Sequence, residues 1–250
     1  MTAAGLPPIG DLDTLERTRL SWHSVAEHVL APARYHAEGR IGLRVTPGGF
    51  GTPPLPSGTT ARVEGAMLVV DGDEAATAAL TTTALTTIAA AATALGIEPG
   101  APADVYTPTT PLAPDVPLVI DADAAAALAA WFALGWIALE ALRVDASSTD
   151  GASDPTLWPE HFDAAIDLGD EDLGARGGFG ASPGDAAHRE PYLYVTHWAD
   201  VADDPYWNDA AFPGASLSYT AVAAAPDATA AARDFFTRGR AALSAGANPR

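Results

Sequence analysis

Apolar residues near the start of the chain recur at helical spacing, which predicts a helix over residues 14–37. Asp13 or Thr14 can cap its first turn, and Pro32 is expected to end or kink it. The spacing then changes to an alternation of polar and apolar residues, which is typical of strands. Short strands are predicted at 40–45, 61–64 and 67–70.

The rest of the chain alternates between Ala-rich helical stretches and short strand patterns. The stretch 122–143 is apolar on nearly all sides, so we expect that helix to be buried. Residues 98–121 hold six Pro and little periodicity, which favours a linker, and 169–185 is predicted to be a Gly-rich loop. Helices are predicted at 75–95, 122–143 and 227–244, and strands at 161–168, 192–197 and 216–222.

The tetrapeptide Gly-Gly-Phe-Gly occurs twice, at 48–51 and at 177–180. Around each copy the predicted order is helix, strand, tetrapeptide, strand, strand, helix. The sequence therefore predicts an α+β protein with antiparallel sheet and long Ala-rich helices, folded as one compact domain over 1–250. We add the hypothesis of two repeated αβββα halves, 12–98 and 120–246, joined by the Pro-rich segment 98–121. The alternative is coincidence in a Gly-rich chain.

Composition narrows the function classes. The chain has 32 acidic residues against 13 Arg and no Lys, for a net charge of −19, which argues against nucleic acid or an anionic membrane surface as a partner. The absence of Cys excludes disulfides and thiolate chemistry. Neither long uncharged run, 75–97 or 124–139, reaches about 20 strongly apolar residues, so no membrane span is expected. We expect a cytoplasmic protein.

Two motifs suggest catalysis but fail on physical grounds. Ser182 lies in a G-x-S-x-G string, yet the next residue is Pro183, which has no N–H to donate to an oxyanion, so a β-turn is the better interpretation. His23 and His28 are five residues apart, which places them on different sides of a helix, whereas zinc helices need a spacing of four. His23 and Glu27 do have that spacing, and a pair on the helix surface is expected.

Most of the negative charge lies in one region. Residues 145–209 contain 15 acidic residues and two Arg. In the strand predicted at 161–168, alternation places His161, Asp163 and Asp167 on one face and the apolar residues on the other. In the strand at 192–197, Tyr192 and Tyr194 share a face. If these two strands pair, His161 and Asp163 lie across from the two Tyr, with a rim of Asp185, His188 and Glu190.

This arrangement supports three functional hypotheses and one structural alternative. Aromatic rings with carboxylates can bind a polyhydroxy or cationic small molecule, which is the leading hypothesis. The candidate ligand-binding residues are His161, Asp163, Asp185, Tyr192, Tyr194 and Trp198. In the second hypothesis the protein is a metal-dependent hydrolase that holds a divalent metal. Its ligands would be His161, Asp163 and His188, with Glu160 or Glu190 as general base.

The third hypothesis is an acidic interaction module that meets a basic partner. In the structural alternative, His161 caps or packs at a strand end and the acids form a solvated face.

Several strings also resemble a group of uncharacterised actinobacterial proteins. They are TPGGFGT at 46–52, LWPEHFD at 157–163, SPGD at 182–185 and EPYLYV at 190–195. The resemblance extends from the first helix to about Trp207 and implies a bacterial cytoplasmic protein. The group has no established activity, so the resemblance assigns no cofactor and no catalytic residue.

Overall fold

A computed structural model describes residues 5–72, 80–146 and 150–245. It confirms the predicted α+β class. Two five-stranded antiparallel sheets have the strand orders β1-β2-β3-β4-β5 and β10-β9-β8-β7-β6, and helices precede and follow them in the chain. Strands that pair are therefore also neighbours in the sequence.

The first helix is longer and less regular than the sequence predicts. Its three parts are α1 (Leu12–Val25), a π-helical turn (Ala26–Leu30) and α2 (Ala31–Glu38). Asp11, not Asp13 or Thr14, caps it by accepting the N–H of Thr14. Pro32 does not end the helix, because it lies in the first turn of α2, where its missing N–H is tolerated.

The first sheet consists of short strands joined in sequence. They are β1 (Arg44–Thr46), β2 (Gly49–Gly51), β3 (Thr60–Glu64), β4 (Met67–Asp71) and β5 (Thr81–Ala84). The predicted helix over 75–95 is wrong in its middle part, because 81–84 pairs with β4 as a strand and α3 covers only Ile88–Leu95. The β-branched Thr in this stretch favour a strand. The part of that prediction over 73–79 lies outside the described residues.

The second half contains two strands that the sequence analysis missed, at 156–158 and at 177–182. The elements are α4 (Ala122–Val144), β6 (Thr156–Trp158), β7 (Asp163–Leu168), β8 (Gly177–Ser182), β9 (Tyr192–His197), β10 (Gly214–Ser218), α5 (Tyr219–Ala223) and α6 (Ala228–Ala245). The predicted loop over 169–185 is wrong where β8 lies, and the strand predicted at 216–222 ends where α5 begins.

The helix α4 is long and apolar enough to cross a bilayer by length and composition. Its most apolar window has a mean hydropathy of 1.7, and 56% of that window is buried inside the protein. At Ala122–Val144 the helix is longer than the uncharged run 124–139. Core helices of globular proteins can be equally long and apolar.

The chain divides into two compact units. The first unit contains Pro7–Ala130 and Thr156–Phe162, and the second contains Met1–Leu6, Trp131–Pro155 and Asp163–Arg250. Each has a copy of the Gly-Gly-Phe-Gly tetrapeptide with a fully buried phenylalanine, Phe50 on β2 or Phe179 on β8. The duplication stays a hypothesis.

Candidate functional site

The face of the second sheet that carries the candidate residues has a glycine strand in its middle. β8 pairs with both β7 and β9, so the assumed direct pairing of 161–168 with 192–197 is wrong. Directly paired residues share a face, and Gly180 pairs with Tyr194 while Ser182 pairs with Tyr192. The two Tyr therefore project from β9 on the side where β8 presents glycine and serine.

Tyr194 lies across that glycine. A Cβ placed on Gly180 would come within 2.4–2.5 Å of the Tyr194 ring, so only glycine leaves room for it. The ring reaches past β8, and its hydroxyl donates a hydrogen bond to Oδ2 of Asp163 on β7. Asp163 and Tyr194 thus meet as predicted, but across an intervening strand.

A second tyrosine–carboxylate pair forms at the adjacent loop. The Tyr192 hydroxyl donates to Oδ2 of Asp185 at 2.6 Å. Oδ1 of Asp185 accepts the backbone N–H of Ala187 at 2.7 Å and of His188 at 2.8 Å. The His188 ring lies over Tyr192, with 4.4 Å between ring centroids, and its Nε2 is 2.9 Å from Oδ2 of Asp209. The Tyr192–Asp185 bond therefore ties this loop to β9, and His188 joins it to the loop that contains Asp209.

Three of the rings form a triangle. The centroids of Tyr192 and Tyr194 are 6.1 Å apart, and each is 6.3 Å from that of Phe212. Tyr194, Phe212 and His188 are half-buried, whereas Tyr192 is only 7% exposed. We name this group the tyrosine–carboxylate cluster, and its members are Tyr192, Tyr194, Phe212, His188, Asp163, Asp185 and Asp209.

The protonation states follow from burial and hydrogen bonding. Burial, followed by the charge of Asp163 and the bond to it, raises the pKa of Tyr194 well above 10. Burial and the Asp185 carboxylate likewise raise the pKa of Tyr192. Burial alone would raise the pKa of Asp185 and Asp209, but the donated hydrogen bonds and the nearby His188 outweigh it and hold both below 3.8. Both hydroxyls therefore stay protonated and donate hydrogen bonds to carboxylates.

The other predicted site residues lie elsewhere. The Trp198 ring is 53% exposed and lies under the Arg176 guanidinium at 5.1 Å. Glu190 accepts hydrogen bonds from the N–H and hydroxyl of Thr220, which is a structural role at the start of α5. His161 is exposed in the turn before β7.

Among the residues that the structure describes, no three His, Asp or Glu side chains are grouped to hold a metal. The candidate ligands His161, Asp163 and His188 are therefore not brought together as a three-ligand site. The sequence analysis missed Asp209 and Phe212, because their loop carries no periodic pattern and reaches the cluster only through the tertiary fold.

The alternation predicted for β7 is confirmed, but its start is not. Ala164, Ile166 and Leu168 are at most 1% exposed, as expected for one face. The strand begins at Asp163, because the preceding residue, Phe162, has a left-handed backbone with φ of +53° and cannot extend a strand. His161 therefore belongs to the turn and does not share a strand face with Asp163.

Ser182 is not placed as a nucleophile. It ends β8, its Oγ accepts the N–H of Gly184 at 3.2 Å, and its carbonyl accepts the indole N–H of Trp131 at 2.7 Å. No helix follows it, whereas a nucleophile elbow joins a strand to a helix. The positive φ of Gly184, +97°, is compatible with the predicted turn.

A second polar cluster, in the first unit, holds the Pro-rich segment against the first helix. The Ser21 hydroxyl donates to the carbonyl of Val119 and accepts its N–H, at 3.0 and 2.9 Å. The Asp121 N–H donates to Thr18. Glu27 and His28 bind the same segment further along. We name these four side chains the helix clamp: Thr18, Ser21, Glu27 and His28. Residues 98–121 are thus anchored along the helix and are not a free linker.

Glu27 is fully buried, with no exposed surface. One carboxylate oxygen accepts the N–H of Thr109 at 2.7 Å, and the other accepts the N–H of Thr110 at 2.7 Å and its hydroxyl. A buried carboxylate is stable only with such compensation. Glu27 therefore replaces the hydrogen bonds that water or a sheet would give this stretch of backbone.

His28 binds the segment as a neutral ring. Its Nδ1 accepts the N–H of Ala101 at 3.2 Å, so the proton is on Nε2, which faces the carbonyl of Thr110 at 3.0 Å. Its own backbone carbonyl, four residues before Pro32, accepts the N–H of Gly100 at 3.0 Å. The bond that Pro32 cannot make within the helix is thus made by the Pro-rich segment.

The predicted pairing of His23 with Glu27 exists, but its predicted surface location is wrong. Their side chains approach to 3.7 Å, and His23 is only 5% exposed. The His23 ring is stacked on Phe162, and its Nε2 donates to the carbonyl of Pro159 at 2.8 Å. Burial lowers the pKa of His23, although the charge of Glu27 opposes this effect.

Comparison of the chain with protein-family models, with curated proteins and with solved structures finds no match.

Proposed function

We propose that this chain is a non-catalytic binding protein for a small molecule, which sits on the tyrosine–carboxylate cluster of the second sheet. One observation carries the proposal: Tyr194 lies across Gly180 to reach Asp163. This geometry requires glycine at position 180, in the middle of a sheet, where glycine weakens the strand. In return it presents a half-buried ring and a carboxylate side by side.

The neighbouring groups support a binding role. Ring faces supply contact area, and a few fixed polar groups orient a ligand, which is the usual composition of small-molecule sites. The cluster combines three aromatic rings with three carboxyl groups, and most of these groups are held by hydrogen bonds to the sheet or its loops. Such prior ordering lowers the entropic cost of binding.

The test is a screen of small metabolites against the full chain by thermal shift, with each hit measured by calorimetry. We expect Tyr194→Phe to weaken a hit at least about tenfold, because the hydroxyl that fixes the ring is lost. The matched control is Tyr35→Phe, which removes a similar tyrosine–aspartate bond, to Asp104 at 2.7 Å, in the first unit. A hit that Tyr194→Phe and Phe212→Ala leave unchanged, or a screen without hits, would refute the proposed function.

A further inference from the structure

We infer that the ligand of the tyrosine–carboxylate cluster is a small organic cation of the ammonium class. This inference rests on the proposed function and specifies its ligand. Three independent properties of the cluster support it: the hydrogen-bonding groups that are already used, the balance of charge and the spacing of the rings.

The cluster has few donors left for a ligand. The hydroxyls of Tyr192 and Tyr194 already donate their hydrogen bonds to Asp185 and Asp163. The Nε2 of His188 is in hydrogen-bonding contact with Asp209, at 2.9 Å. A sugar or polyol needs donors as well as acceptors from its site, because each ligand hydroxyl both donates and accepts. The carboxylate and phenol oxygens can each accept more than one hydrogen bond, so the capacity that the cluster offers a ligand is mostly that of acceptors, which attract positive charge.

The charge balance points the same way. The cluster contains three carboxyl groups, those of Asp163, Asp185 and Asp209, against one imidazole, that of His188. Asp185 and Asp209 are held in the ionised form, since the bonds donated to them outweigh the effect of burial on their pKa. An anionic ligand would be repelled, whereas a cation would relieve the excess of negative charge.

The rings are spaced so that one cation can contact all three. The centroids of Tyr192, Tyr194 and Phe212 are 6.1–6.3 Å apart. A cation close above the centre of this triangle lies within ~6 Å of all three centroids, the distance over which the face of an aromatic ring attracts a cation. Groups of aromatic rings are the usual means by which proteins recognise quaternary ammonium ligands.

The experiment compares choline with 3,3-dimethylbutan-1-ol, which has the same shape and no charge. Both are titrated into the full chain by calorimetry at neutral pH and low salt, with glucose as a polyhydroxy probe. We expect choline to bind at least about tenfold more tightly than the neutral alcohol, and glucose not to bind. Binding of choline should also weaken as salt rises, since the attraction is partly electrostatic.

Two variants locate the effect. Phe212→Leu keeps an apolar side chain at a half-buried position but removes the ring, so it should weaken choline several-fold and leave the neutral alcohol unchanged. Asp163→Asn removes one charge with little change of shape and should have the same selectivity. Asp104→Asn, in the first unit, is the matched control and should alter neither probe. If Asp163→Asn fails to fold, Phe212→Leu alone decides.

The outcomes separate the inference from the proposed function. Equal binding of choline and the neutral alcohol, or binding of glucose alone, would overturn the cation inference and leave small-molecule binding in place. The cation inference would also be overturned if choline does not bind and the metabolite screen gives an uncharged or anionic hit that depends on Tyr194. If no probe binds and the metabolite screen gives no hit, both the cation inference and the proposed function are overturned.

Discussion

Replacing Glu27 by Gln tests whether the helix clamp is a major source of stability for the first unit. The two side chains have nearly the same shape, but the carboxamide has one acceptor oxygen where the carboxylate has two. In the wild type the two oxygens accept the N–H of Thr109 and of Thr110, each at 2.7 Å. In Glu27→Gln, one of these backbone donors must face an NH₂ group and loses its partner.

The expected loss can be estimated from these contacts. A buried donor without a partner costs about 1–3 kcal/mol, and bonds to an ionised acceptor are at the stronger end. Removing a buried charge works in the opposite direction, because its desolvation cost disappears. That gain is smaller here, since the carboxylate is fully hydrogen-bonded. We expect a net loss of about 2 kcal/mol, which is a large part of the ~5–15 kcal/mol that stabilises a typical protein.

Urea unfolding followed by tryptophan fluorescence measures this loss, and hydrogen exchange at the amides of Thr109 and Thr110 locates it. The control is Glu16→Gln, on the same helix, whose side chain is 43% exposed and should change stability by less than about 0.5 kcal/mol. If Glu27→Gln is as stable as the control, or if both amides stay as protected as before, the clamp does not contribute as we argue.

Three more predictions follow from the geometry. Gly180→Ala should cost about 1–3 kcal/mol and abolish choline binding, because the new Cβ overlaps the Tyr194 ring. Phe162→Gly should relieve about 1–2 kcal/mol of left-handed strain but lose about 3–5 kcal/mol of buried aromatic packing, for a net destabilisation. The fold lowers the pKa of Asp209 below its ordinary value of 3.8. The stability that the Asp209 carboxylate adds is therefore fully present above that ordinary pKa and is lost as the pH falls through the lowered pKa. Asp209→Asn should accordingly make the free energy of unfolding less sensitive to acid.

Each of these three predictions would be refuted by a specific result. Unchanged choline affinity in Gly180→Ala, measured by calorimetry, would mean that the ring position is not essential. A gain in urea midpoint for Phe162→Gly would mean that strain exceeds packing. For the pH series, the exposed Asp200→Asn is the control, and equal acid sensitivity of the two variants would refute the role of Asp209.

The sequence predicted those features that local patterns encode. Alternating apolar residues placed Ala164, Ile166 and Leu168 on one buried face, and the count of acidic and aromatic residues indicated the region of the cluster. It missed β8, because glycine has low strand propensity and the stretch looks like a loop. The reason for those glycines is tertiary: Gly180 makes room for Tyr194, a residue 14 positions later.

The two clusters show why side-chain roles were harder to predict than elements. Spacing alone paired His23 with Glu27, but it could not indicate that a Pro-rich segment some 80 residues later covers Glu27. Nor could it indicate that Pro159 and Phe162 cover His23. The same limit applies to Asp209 and Phe212, which join the cluster from a loop without a pattern. Contacts between distant parts of the chain decide both sites, and local patterns do not record them.

The composition of the first unit has a consequence for the order of events on the ribosome. Leu157 forms an isolated bridge with Leu43, Pro159 accepts the His23 imidazole, and Phe162 packs between His23 and Phe50. These contacts come from a piece of chain synthesised after residue 130. At roughly 5–20 residues per second, the nascent first unit exists for a few seconds without its last piece. During that interval the ring of Phe50 lacks one of its aromatic neighbours, and a chaperone that recognises exposed apolar surface would act then.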